Sequence, residues 1–278
     1  MAHIQYRRGV PGVLPNAWLI QPEAGRNAAA PVIAVHGLNR EAEGMAKLLA
    51  PRADATGRTV ILPIFDRTSW PRFQRAACPQ RSDWALLNLL KVLREEGHIG
   101  DAPPDLSGFS GGAQFAHRFA WLYPDHVGRL CLVSPGWWTF PDARGAHPLG
   151  IDANARGKGA AAFRLRANLA RFFDREIQVA VGALDVVQDK NLRQDPEIMA
   201  QQGADRVTRA RRWSAAAIRA ARGAGLLPQI AFKLMGDCGH SFADCVANAR
   251  LDRVFVPAVK IETNTRSLCR EDKFVEVA

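Results

Sequence analysis

Apolar and polar positions along the chain fall into short strand-length runs separated by longer stretches of helical period. Residues 18–20, 32–35 and 59–64 are apolar or β-branched runs of strand length. So are residues 105–109, 129–133, 177–181 and 230–234. Between them, residues 42–55, 84–93, 112–123 and 205–222 repeat their apolar positions every three to four residues, as amphipathic helices do. Ser82 or Asp83 can cap the second of these helices, and Pro124 stops the third. Ser241 can cap a short last helix. Strands that alternate with helices imply the α/β class, a mostly parallel central sheet flanked by helices on both faces.

One stretch breaks this rhythm. Residues 137–175 separate two strands by far more than the usual few loop residues. The stretch opens on Trp137, Trp138, Phe140 and Pro141 and continues into an Ala-rich, helical part. It reads as a modest cap inserted in a single domain spanning residues 1–278, with a plain crossover helix as the alternative.

The chemistry-bearing signal is Gly108-Phe109-Ser110-Gly111-Gly112, a G-x-S-x-G pattern between an expected strand and an expected helix. A serine held on a tight strand-to-helix turn presents its hydroxyl above the sheet. Glycines beside it remove the Cβ atoms that would collide there. The competing reading is a glycine turn whose serine only caps the next helix. A serine hydroxyl is a weak nucleophile at neutral pH and needs a base, and the base needs a carboxylate to hold its tautomer. The chain order for such a site is Ser, Asp or Glu, then His. Asp185 follows the strand at 177–181 and His240 follows the strand at 230–234, both at strand ends where open α/β sheets place their sites. Asp189, one turn further on, competes with Asp185. Of the seven histidines, His3 lies near the terminus, and His98, His126 and His147 lie in loops elsewhere. His117 sits seven residues beyond Ser110 on the following helix, and His36 suits a structural role. An oxyanion needs backbone donors. Gly111 supplies one and Leu38, ahead of Asn39, the other, each such donor being worth about 2.7–4 kcal/mol in the transition state.

Together, His36-Gly37-Leu38-Asn39, Gly108 to Gly112, the Gly-x-x-Asp ending at Asp185, and Gly239-His240 resemble the α/β-hydrolase superfamily. They look most like its bacterial esterase and polyhydroxyalkanoate-depolymerase-like members. The resemblance runs over residues 32–248 and implies an eight-stranded sheet with one antiparallel strand near its start. The short N-terminus leaves little room for a first strand, and the tail after Lys260 matches nothing in the family.

Composition narrows the partners. An excess of 37 basic over 27 acidic side chains gives a net charge of +10. The arginines are scattered, however, and the densest run (Arg206, Arg209, Arg211, Arg212, Arg219 and Arg222) reads as a solvated surface. No nucleic-acid-reading motif accompanies it, so no nucleic-acid partner is expected. No apolar run is long enough to span a bilayer, so no membrane partner is expected either. Five cysteines and no signal-like N-terminus favour a cytoplasmic location, and secretion would require a leader already removed. Cys238 and Cys245 could bridge in an oxidising compartment. The cluster Asp237, Cys238, His240, Asp244 and Cys245 has no zinc-site spacing, so neither metal nor cofactor is expected. Trp137, Trp138 and Phe140, with Trp70 and Phe73, are candidates to line an apolar acyl pocket or to pack in the core.

The expectation is therefore a carboxylic-ester hydrolase acting through an acyl-enzyme on a small or polymeric ester. Amide hydrolysis or acyl transfer on the same triad, and a non-catalytic binding protein on this fold, are the alternatives. Nothing in the pattern specifies an oligomer.

Overall fold

The computed structural model describes residues 1–23, 30–143, 145–152 and 159–258. The tail beyond Lys260, with Cys269, and part of the expected insertion lie outside the described residues. In chain order the elements are β1 (His3–Arg7), β2 (Asn16–Gln21), β3 (Val32–Val35), α1 (Ala42–Thr56), β4 (Val60–Ile64) and α2 (Ser82–Glu95). Next come β5 (Asp105–Phe109), α3 (Gly111–Leu122), β6 (Leu130–Val133), α4 (Gly159–Ala167), α5 (Leu169–Phe173) and β7 (Ile177–Gly182). The last are α6 (Pro196–Gln202), α7 (Arg206–Gly223), β8 (Ile230–Met235), α8 (Phe242–Ala249) and α9 (Leu251–Phe255).

The eight strands form one sheet in the order β1-β2-β4-β3-β5-β6-β7-β8. β2 runs antiparallel to both of its neighbours, and the pairs from β4 through β8 are parallel. Strand alternation sorts the core into two layers. Ile33, Val35, Leu106, Leu132 and Val179 meet the apolar faces of α2, α3 and α7. Val32, Ala34, Cys131, Val133 and Ala180 meet α1, α8 and α9 on the other face. The middle strands β3 and β6 are buried along their whole length, which is why they read as continuous apolar runs.

The N-terminus does hold a first strand. β1 pairs residue for residue with β2, from His3 with Gln21 to Arg7 with Ala17. Tyr6 packs edge-on against Trp18 at 5.0 Å. An edge strand needs only one weakly apolar face, so its pattern is faint in the sequence.

Among the described residues of the expected insertion, the helical part lies against the main helical layer. α4 and α5 pack on the flank of α3: Trp121 Nε1–H donates to the Leu165 carbonyl at 2.8 Å, and the Asn168 amide donates to Trp121 and Leu122 carbonyls. Trp121 also stacks on Phe172 at 4.9 Å. The described part of residues 137–175 thus behaves as a crossover in the helical layer, because its apolar side chains find partners on α3 and α7.

Candidate active site

Ser110 stands between β5 and α3 with φ 54° and ψ −114°, a conformation that L side chains rarely adopt. Its amide donates to Val133 O at 2.8 Å, and its carbonyl accepts from Gln114 N at 3.1 Å, so strand and helix both clamp the turn. The flanking glycines are required by contact. A Cβ on Gly108 would lie 2.3 Å from Gly112 O, and one on Gly112 would lie 2.1 Å from Val35 O. Only without those atoms can α3 start directly against the ends of β3 and β5.

The turns after β7 and β8 are tied together. Ala183 N donates to Met235 O at 2.7 Å and Leu184 N to Cys238 O at 3.0 Å. This brings Asp185 to His240: Nδ1 lies 2.8 Å from Asp185 Oδ2, and Nε2 lies 2.9 Å from Ser110 Oγ. With Asp185 accepting from Nδ1–H, Nε2 is left as the acceptor for the serine proton. Phe109 stacks on the imidazole at 5.1 Å and 26°, and Ser241 caps α8 immediately beyond it. Asp189 does not reach His240 Nδ1. Its Oδ1 accepts from the amides of Asn191 and Leu192, which closes its own loop. Burial would raise its pKa, but the Asn191 amide and Arg206 outweigh that and hold it below the ordinary carboxylate range.

Leu38 and Gly111 come together as well. A Cβ on Gly111 would lie 3.2 Å from Leu38 N. Gly111 opens α3, where amides have no intrahelical acceptor. The loop carrying Leu38 is held from below. Buried His36 accepts from Phe65 N–H through Nε2 at 3.1 Å and bonds Gly37 O through Nδ1 at 2.8 Å. Burial pushes the His36 pKa down to about 4, which keeps the ring neutral. Arg40, at φ 66°, donates to Leu38 O at 2.9 Å and to Phe65 O at 2.6 Å. No motif singled out Arg40, because a loop arginine carries no sign of what it staples.

A cleft of about 350 Å³ opens over Ser110 and His240. Its apolar wall is Leu38, Met45, Leu48, Phe109 and Phe242, and Asn39 and Asn191 stand among its polar residues. Trp137, Trp138 and Phe140, the candidates for an apolar acyl pocket, are not among the residues that line this cleft. Trp138 is fully buried and stacks on Trp213 at 4.4 Å. Trp137 lies under the Arg118 guanidinium at 3.9 Å, and Phe140 joins the same core as Trp138. Trp70 and Phe73 are likewise buried, in the packing around Phe65 and His36.

The arginine run at the start of α7 also departs from a solvated surface. Arg206 and Arg209 are both buried. Arg209 donates to the carbonyls of Gly203 and Arg193 at 2.8 Å each. Arg206 Nη1 meets Asp185 Oδ1 at 3.2 Å, and its Nη2 meets Asp189 Oδ2 at 2.8 Å. Their helical spacing put both on the inward stripe of α7, a signal that charge alone concealed. Cys238 and Cys245 are free, buried thiols, and burial followed by the neighbouring Cys238 pushes the Cys245 thiol well up. Among the described residues, no group of three or more His, Cys, Asp or Glu side chains is placed to hold a metal.

No protein-family model and no curated protein sequence matches the chain. Solved structures do. LpqC, a poly(3-hydroxybutyrate) depolymerase from Bordetella parapertussis, superimposes with a TM-score of 0.72 at 22% identity, over 91% of this chain and 94% of its own. The chain has the α/β-hydrolase fold. Poly(aspartic acid) hydrolase-1 from Sphingomonas sp. KT-1 shares this fold at a TM-score of 0.69 and 21% identity, over 86% and 93% of the two chains. The fluorophosphonate-binding serine hydrolase FphF of Staphylococcus aureus matches at 0.55 and 13%, over 92% and 98%. In α/β-hydrolase terms Ser110 occupies the strand-to-helix elbow, and His240 and Asp185 follow the last two strands. Among the described residues, no helix is long and apolar enough to cross a membrane.

Proposed function

We propose that the protein is a serine hydrolase that cleaves carboxylic esters through an acyl-enzyme. The observation that carries this reading is the relay of 2.9 Å from Ser110 Oγ to His240 Nε2 and 2.8 Å from His240 Nδ1 to Asp185, set at the elbow. Ser110 Oγ attacks the ester carbonyl as His240 takes its proton. The amides of Leu38 and Gly111 face the oxygen that gains charge. The tetrahedral intermediate collapses, His240 returns the proton to the leaving alcohol, and water then attacks the acyl-enzyme by the same route. Asp185 holds the imidazole tautomer and stabilises the imidazolium. No step calls for a cofactor.

The cleft sits at the small end of ligand-site volumes and is apolar on one wall. It suits a compact apolar group, whether from a small ester or from one unit of a polymer. Neighbours named as a polyester depolymerase and a fluorophosphonate-binding serine hydrolase support this class of chemistry. The neighbour named as a poly(aspartic acid) hydrolase favours amide cleavage as a second reading. Free thiols at Cys238 and Cys245 fit a reducing, cytoplasmic setting.

The test is hydrolysis of p-nitrophenyl acetate and butyrate beside an N-acyl p-nitroanilide. The ester reading expects turnover of both esters and a loss of about 10³-fold or more in Ser110→Ala. Ester turnover that survives in Ser110→Ala overturns it, and faster anilide than ester cleavage favours the second reading.

A further inference from the structure

We propose that Arg206 and Asp189 complete the charge arrangement behind His240. Arg206 is a positioning residue that fixes the Asp185 carboxylate, and Asp189 returns the negative charge that Arg206 cancels. This inference rests on the reading of Ser110, His240 and Asp185 as a catalytic relay.

The geometry is a two-armed clamp. One guanidinium nitrogen of Arg206 holds Asp185 Oδ1 at 3.2 Å, while Asp185 Oδ2 faces His240 Nδ1 at 2.8 Å. With one oxygen held by Arg206 and the other by His240, the carboxylate plane is set. The second guanidinium nitrogen holds Asp189 Oδ2 at 2.8 Å. Asp189 is fixed in turn by the Asn191 and Leu192 amides, so the clamp is anchored to a closed loop and not to a free side chain. Arg206 and Asp185 are 1% and 2% exposed, and Arg206 Nε has no hydrogen-bond partner in the structure. A buried Arg206–Asp185 pair, with the part-exposed Asp189 on its second arm and an unmatched N–H, is a poor device for stability alone, since apolar side chains often serve a core as well or better.

Charge explains why two carboxylates are present. A lone cation against Asp185 would weaken its hold on an imidazolium. With Asp189 added, the three side chains carry one net negative charge, and protonation of His240 during catalysis brings the cluster to neutrality. Of the charges that act on Asp189, that of a protonated His240 is weaker than that of Arg206. Among the described residues, groups that also face the cluster include Arg209 on α7, which repels Arg206, and the Cys245 thiol on α8, which Asp185 helps keep protonated. The arrangement therefore predicts pH shifts of opposite sign when Asp189 and Arg206 are each neutralised.

The experiment measures the second-order rate of fluorophosphonate labelling of the full chain from about pH 5 to 9, which needs no knowledge of the natural substrate. In Asp189→Asn, a lost negative charge disfavours the imidazolium, so the rising limb moves to lower pH by roughly half a unit or more. In Arg206→Met, a lost positive charge moves the limb to higher pH, and a freed Asp185 lowers the plateau about 10–100-fold. Arg206→Lys keeps the charge and loses the fork, so its limb stays near wild type while its plateau falls. Limbs that stay in place in both Asp189→Asn and Arg206→Met, or that move the same way, overturn the inference while the wild type still labels. A wild type that does not label overturns the catalytic reading itself, and the inference with it. If Arg206→Met does not fold, the partly exposed Asp189→Asn decides by its limb alone.

Discussion

Ser110→Gly should melt at a higher temperature than Ser110→Ala, although on the proposed reading neither should hydrolyse an ester. The cause lies in the elbow's backbone. At φ 54° and ψ −114°, a residue carrying a Cβ bears strain of about 1–3 kcal/mol, which alanine retains and glycine relieves. Against this, glycine loses about 0.5–1 kcal/mol to alanine through the greater freedom of its unfolded chain. Both variants lack Oγ, so the lost contact with His240 cancels in the comparison. The balance favours glycine by about 0–2.5 kcal/mol, centred on about 1.3 kcal/mol. For a domain of this size the central value corresponds to a Tm higher by about 2–5 °C. Calorimetry on the two variants in one buffer gives the difference, and urea midpoints check it at constant temperature. A Ser110→Gly protein that melts at or below Ser110→Ala would show that the strain at Ser110 is no larger than glycine's cost of about 0.5–1 kcal/mol, and the expectation of a strained elbow would fail.

Asp185→Asn should lower kcat/KM about 10⁴-fold, because Asn no longer holds the imidazole tautomer. Its stability should fall by only about 1 kcal/mol, since Arg206 keeps Asp189, and steady-state kinetics with a urea melt reads both quantities. Trp138→Ala should cost about 3–5 kcal/mol in urea unfolding by removing a buried ring stacked on Trp213, yet leave KM for a small ester unchanged in the folded fraction. His36 is held neutral, with its pKa at about 4 against about 6.5 in the unfolded chain. Its contribution is therefore present above pH 6.5 and lost as the pH falls toward 4. The loss is about 3 kcal/mol of unfolding free energy across that window, and a His36→Gln protein should lack this part of the pH dependence.

The parts of the site that could be read from the sequence are those where backbone geometry constrains residue type. Gly108 and Gly112 stand where no Cβ fits, so the elbow writes itself into the chain as glycine around serine. Asp185 and His240 were legible because each follows a strong apolar strand, and strand ends are where such a sheet exposes side chains. Burial partners, by contrast, leave little trace. Trp137, Trp138 and Phe140 have the composition of an acyl pocket and of a core alike, and only the stacking of Trp138 on Trp213 separates the two. Arg206 resembles its solvated neighbour Arg211 until α7 is seen to turn it toward Asp185. Ala-rich composition announced a helix in the 137–175 stretch, but composition does not tell whether a helix covers a cleft or packs on α3. β1 escaped because an edge strand with one half-buried face needs no strong alternation.

The most direct test of the account is peptide mapping after treatment with a fluorophosphonate. Tryptic mass spectrometry should find a single phosphonyl adduct, on the peptide that contains Ser110. It should be absent in Ser110→Ala and formed far more slowly when His240 is replaced by Gln. No adduct on native protein, or an adduct on a different side chain that persists in Ser110→Ala, would contradict the assignment of Ser110 as the nucleophile.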